Sequence, residues 1–204
     1  MTKKTLLLIR HAESESNFGL ATSDPITLGL TERGVSQAEI AASSLEFKPD
    51  LIAISPYRRA KLTAEPFLRQ FSDVPFEEWD IGEFVFLNFK NQPPMTREQR
   101  RPHVNAYWKR RNQHEENTDS ESFVRFYQRV CQFHQRVIQN PARNLMVISH
   151  GFFMYTYATS LAQGFPPCSD ELMGDIYDTM PAEPFPNCVV ARFVFDDEKW
   201  LPEP

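Results

Sequence analysis

Residues 6–14 read Leu-Leu-Leu-Ile-Arg-His-Ala-Glu-Ser, an apolar run that stops abruptly at Arg10 and His11. A short unbroken apolar run suits a strand buried on both faces of a parallel sheet. Whatever follows such a strand is delivered to the carboxyl edge of the sheet, where open α/β folds bind their ligands. An arginine beside a histidine at that edge sets a fixed cation next to a nitrogen nucleophile. The pattern recurs at 145–151, Leu-Met-Val-Ile-Ser-His-Gly, a second buried-type run ending in a histidine. Two strands that each bring a histidine to one edge predict an active site.

Around these runs, strands and helices alternate. Thr31-Glu32 read as a helix start, with Val35, Ala38, Ala41, Ala42 and Leu45 at helical spacing behind them. Residues 51–54 form a second buried strand, and a helix follows from Tyr57 to about Phe71, bent or divided at Pro66. Residues 75–80 suggest a short strand or loop. A long helix from about Ser120 to Gln139 carries Phe123, Phe126, Tyr127, Val130, Phe133 and Val137 as an apolar stripe. Strand 145–149, helix 152–163, a Pro-rich loop and a last strand from Val189 to Phe195 complete the pattern. The alternation predicts a three-layer α/β/α sandwich with a mostly parallel central sheet, in a single domain over 1–204.

The stretch 85–117 differs in character. It holds Lys90, Arg97, Arg100, Arg101, Lys109, Arg110 and Arg111 against only Glu98, Glu115 and Glu116. With Pro93, Pro94 and Pro102 it reads as an inserted basic segment carrying one helix near 97–111.

The chain has 204 residues, 41% hydrophobic and 24% charged, which is ordinary for a globular protein. A formal charge of -5 argues against a general nucleic-acid binder while leaving room for a local basic pocket. No apolar stretch approaches the ~18 residues of a membrane span, and the run behind Lys3 and Lys4 is too short for a signal peptide. Cys131, Cys168 and Cys188 are scattered and form no C-x-x-C pair, which suggests a reduced, cytoplasmic setting and no zinc site. His103, His114 and His134 have no partner pattern and read as surface or packing residues.

Arg10-His11-Ala12-Glu13-Ser14, with Asn17 three residues on, resembles the signature of the histidine phosphatase superfamily, which includes the cofactor-dependent phosphoglycerate mutases. The similarity continues in the family's order. Leu30-Thr31-Glu32-Arg33-Gly34 with Gln37-Ala38 resembles its first-helix pattern. Ser55-Pro56-Tyr57-Arg58-Arg59-Ala60 with Thr63-Ala64-Glu65 resembles its second-arginine motif and puts that arginine at Arg59, or at Arg58 if the register slips by one. Glu78-Trp79-Asp80-Ile81-Gly82 resembles the acid-donor motif, Glu78 lying four residues before the glycine. Glu121-Ser122-Phe123 and His150-Gly151 fill the remaining blocks.

The resemblance implies a phosphoglycerate mutase-like fold and a metal-independent phosphomonoesterase without a cofactor. His11 is then the nucleophile that carries a phosphohistidine, attacking as neutral imidazole, with cations around it lowering its pKa. Arg10 and Arg59 grip phosphoryl oxygens as planar forks, and His150 and the Asn17 amide add further contacts. Glu78 protonates the leaving oxygen, with Glu77, Asp80 and Glu83 as nearby alternatives. Glu121 either touches ligand or caps the long helix, and Asn17 is otherwise a loop former. The implied partner is a small phosphorylated substrate, bearing further negative charge if the basic segment faces the pocket; neither nucleic acid nor membrane is expected.

Two departures separate this chain from the family pattern. Ala12 stands where glycine is usual, and Glu83-Phe84-Val85-Phe86-Leu87 lacks the Tyr-Gly element of sugar-phosphate mutases. The second weakens the rival reading of a mutase-type phosphotransferase. A non-catalytic phospho-ligand-binding protein is a further alternative, disfavoured by the complete set of histidines, arginines and acid.

Overall fold

The computed structural model describes residues 4–117, 119–196 and 199–203. Strands β1 (Lys4–Arg10), β2 (Leu51–Ile54), β3 (Phe76–Glu78), β4 (Asn144–Ser149), β5 (Val190–Asp196) and β6 (Lys199–Glu203) form one sheet in the order β3-β2-β4-β1-β5-β6. The first four positions in that order run parallel, β5 lies antiparallel to β1, and β6 antiparallel to β5. The sheet is therefore mostly parallel, as the alternating pattern predicts.

The pleat divides the core. Leu6, Leu8, Leu51, Ala53, Leu145 and Val147 face one side, and Ile9, Ile52, Ile54, Met146 and Ile148 the other. The first side is covered by α5 (Phe123–Gln139), α6 (Gly151–Ala162) and α7 (Asp170–Thr179), the second by α2 (Glu32–Ser43) and α3 (Arg58–Gln70). Helices on both faces explain why β1, β2 and β4 read as unbroken apolar runs rather than as alternation. Gly34 near the start of α2 is required by close approach: a Cβ there would stand 2.1 Å from the Glu13 carbonyl oxygen.

Three elements differ from the sequence reading. The stretch before the last strand is not all loop but contains α7, whose cap Ser169 accepts from the Leu172 amide at 3.0 Å and whose Leu172, Met173 and Ile176 are buried. The chain continues past β5 into β6. Helix α3 runs unbroken through Pro66, because its Ala60, Ala64 and Phe67 face is fully buried against the sheet, which offsets the lost backbone bond. A short α1 (Glu15–Phe18) follows β1, and α4 (Arg97–Arg110) is the helix of the basic segment.

Strands β1 and β4 are neighbours in register, Arg10 opposite Ser149, and the His11 amide donates to the Ser149 carbonyl at 2.9 Å. Adjacent strand ends thus place His11 and His150 side by side.

Candidate active site

The rings of His11 and His150 lie 5.1 Å apart, and Arg59 from the first turn of α3 joins them. Its Nε donates to His11 Nε2 at 3.0 Å, and its Nη2 donates to His150 Nδ1 at 2.9 Å. A guanidinium can only donate, so both of these ring nitrogens carry lone pairs. On the far side of each ring the partners agree. His11 Nδ1 donates to the Ala12 carbonyl at 2.7 Å, and His150 Nε2 donates to Ser55 Oγ at 2.7 Å. The two imidazoles are neutral and held in opposite tautomers.

Their pKa values are pushed well below 6.5, first by burial and then by the Arg59 charge. Desolvation leads, so the expectation that surrounding cations lower the His11 pKa accounts for only part of the effect. Burial likewise draws Arg59 down to about 10, which leaves it a cation at neutral pH.

His11, Arg10 and Arg59 line a cleft of about 830 Å³, as do Glu13, Asn17 and Glu83. His150 is fully buried behind Arg59. The Arg10 side chain is held from one end: Nη1 donates to the Phe185 carbonyl and pairs with Glu183 at 3.1 Å, while its buried Nε has no partner among the described residues. Asn17 folds its Oδ1 back onto Ser14 Oγ at 3.0 Å in a capping box, so the amide nitrogen is the end left for a ligand.

The structure does not bring Glu78 to this cleft. Strand β3 ends there with the side chain 55% exposed and paired with Lys61 at 2.5 Å. Trp79 and Ile81 then plunge into the core, and the turn over Gly82 carries Glu83 to the cleft instead. Its two carboxylate oxygens accept the Phe152 and Phe153 amides at the start of α6, each at 3.2 Å. Of the other neighbours, Glu77 pairs with Arg136 at 2.7 Å and Asp80 approaches Arg129 at 3.7 Å, both outside the cleft. Glu121 touches neither ligand space nor the helix end. It grips Arg129, which donates to the Gly82 carbonyl at 3.1 Å and so holds the turn that aims Glu83.

The profile of the histidine phosphatase superfamily (branch 1) matches residues 6–201. The chain belongs to that superfamily. The chain is 30% identical over 150 residues to the adenosylcobalamin/alpha-ribazole phosphatase of Salmonella typhi, covering 71% of this chain and 73% of that protein. It is 36% identical over 99 residues to the 2,3-bisphosphoglycerate-dependent phosphoglycerate mutase of Bartonella quintana, covering 42% and 47%. The fold superposes on a putative alpha-ribazole-5'-P phosphatase of Escherichia coli with a TM-score of 0.74 at 23% identity, over 98% of this chain and 94% of that one. No helix among the described residues is long and apolar enough to cross a membrane, and no three His, Cys, Asp or Glu side chains gather there in a metal-holding group.

Two further residues of the site are not marked by the sequence. Asn187 Nδ2 donates to the His11 carbonyl at 2.8 Å, and nothing local in the Pro-rich stretch marks it. Ser55, which fixes the His150 tautomer, opens the Ser-Pro-Tyr-Arg-Arg motif, in which the sequence assigns a role to the arginine alone.

Proposed function

We propose that this protein is a metal-independent phosphomonoesterase that works through a phosphohistidine on His11. The observation that carries the reading is the state of His11: a neutral, buried imidazole whose Nδ1 proton is tied to Ala12 and whose Nε2 lone pair meets Arg59 at the cleft floor. A nitrogen in that state is ready to attack phosphorus. The phosphatase relative among the curated proteins supports hydrolysis over transfer to a second alcohol.

An attacking lone pair cannot remain in a hydrogen bond, so the incoming phosphoryl group draws Arg59 Nε from His11 onto its own oxygens. Arg10, Arg59 and the Asn17 amide then donate to the phosphoryl oxygens, and His150 Nδ1, released from Arg59, carries a lone pair that meets a protonated phosphoryl oxygen, since in this tautomer it accepts and does not donate. His11 Nε2 bonds to phosphorus, the ester P–O bond breaks, and Glu83 gives its proton to the leaving oxygen. Water then attacks the phosphohistidine, Glu83 takes its proton, and the P–N bond breaks to return neutral His11 and inorganic phosphate. Glu83 holds the acid role here in place of Glu78, which faces solvent.

The test is chemical trapping. Wild type quenched during turnover of a radiolabelled ester should hold an acid-labile, base-stable phosphoryl group, and His11→Ala should hold none while keeping its circular dichroism. Label retained on the alanine variant would move the nucleophile elsewhere.

A further inference from the structure

A phosphate alone needs only the floor of the cleft, and about 830 Å³ lies in the range of sites that enclose a whole organic ligand. The roof is a fixed part of the fold. Thr22 and Met95 exchange backbone hydrogen bonds at 3.0 and 2.9 Å, Arg100 donates to Thr22 Oγ1 at 2.6 Å, and its guanidinium lies 5.4 Å over the Phe89 ring. The inner face of that roof is apolar. Val85, Phe86, Leu87 and Val104 line the cleft and are only half-buried, so hydrocarbon is left uncovered inside it.

The charges around the cleft are unevenly committed. Glu13 accepts from Thr31 Oγ1 at 2.8 Å, Glu83 holds the Phe84, Phe152 and Phe153 amides, and Glu183 holds Arg10. Arg97 lines the same cleft, one helical turn before Arg100, and has no hydrogen-bond or ion-pair partner among the described residues. Helix electrostatics does not account for it, since the first turn of a helix favours acids.

We infer that the cleft takes a phosphomonoester whose body is apolar and carries a second anionic group, which Arg97 meets. The body lies under the Val85–Leu87 and Val104 surface, and the scissile phosphate lies on the floor, an end of the argument that rests on the phosphatase reading above. The shared chemistry is a hydrocarbon body with a remote carboxylate or second phosphate.

Esters with matched alkoxide leaving groups test this without confounding by leaving-group acidity. In wild type, kcat/KM for naphthylmethyl phosphate should exceed that for ethyl phosphate by at least about tenfold, since apolar area is withdrawn from water. A carboxylate on the remote ring should raise it by about fourfold over the equally sized carboxamide, the scale of one partly exposed ion pair. Arg97→Gln should abolish that last ratio and Arg97→Lys should retain it. Equal values for carboxylate and carboxamide, or a ratio that survives Arg97→Gln, overturn the Arg97 contact. Equal values for ethyl and naphthylmethyl phosphate overturn the apolar body. Calorimetric binding of the non-hydrolysable phosphonates reads the same ratios. Discrimination among phosphonates by a chain that hydrolyses nothing would defeat the phosphatase reading and leave this subsite standing.

Discussion

Arg59 Nε stands 3.0 Å from His11 Nε2, so a single guanidinium marks the ring's lone pair and adds its charge to the larger effect of burial in keeping the ring neutral. Its second arm reaches His150 at 2.9 Å, and no other side chain could make both contacts with one rigid plane.

Arg59→Lys retains the charge and loses the fork. An ammonium can reach one histidine or the phosphate, not all three partners. We expect kcat/KM to fall by about a hundredfold or more, the scale of removing one well-aimed donor. Steady-state kinetics on an aryl phosphate checks this; a loss below tenfold would show that charge alone suffices.

Exchanging each candidate acid separates the two glutamates. Glu83→Gln cannot donate a proton, so esters with poor leaving groups should lose activity by about a hundredfold or more, while activated aryl esters lose far less. Glu78→Gln removes one half of an exposed pair with Lys61 and should leave both substrates within about twofold. The reverse ranking would return the role to Glu78.

Arg129 and Glu121 form a pair with side chains only 13% and 18% exposed, and the arginine holds the carbonyls of Asp80 and Gly82. Arg129→Ala strands the Glu121 carboxylate and frees the turn before Glu83. Chemical denaturation should report a loss of about 3 kcal/mol. In the folded variant, kcat on alkyl esters should fall while activated aryl esters are spared. Equal loss on both would show that Arg129 serves stability without aiming Glu83.

The two buried histidines also set a stability-versus-pH signature. Both resist protonation in the fold and regain an ordinary value near 6.5 in the unfolded chain. Below that value the unfolded state binds more protons, so stability falls as pH drops. Each histidine contributes a slope of up to about 1.4 kcal/mol per pH unit until its folded pKa is reached. His150→Gln should flatten the slope between about pH 6.5 and 5 relative to wild type. An unchanged slope would mean His150 contributes nothing to it.

Much of this was legible in the chain. Runs such as Leu6–Ile9 and Leu145–Ile148 identify buried parallel strands because burial on both faces erases polar alternation, and a histidine after each run forecasts the shared edge. The acid was harder. Glu77, Glu78, Asp80 and Glu83 lie within seven positions, and spacing along the chain says nothing about which way a turn throws a side chain. The placement is set by Trp79 and Ile81, whose burial rotates the chain so that Glu78 is left outside the cleft and Glu83 is brought to it, where it is the proposed acid. Helix α7 was readable from Ser169 with Leu172, Met173 and Ile176, but the prolines on either side disguised it. Asn187 reaches the His11 carbonyl across 176 positions, a contact that only the folded chain creates.

Because Arg10 is paired in register with Ser149, the histidines rest on the two central strands, each hydrogen-bonded on both edges. Such strands open to solvent only when the whole domain does. Deuterium should therefore enter the amides of Leu8, Ile9 and Ile148 at the rate of global unfolding. Activity during denaturation should disappear together with the fold, leaving no interval in which the protein is intact yet has lost the geometry of its histidines.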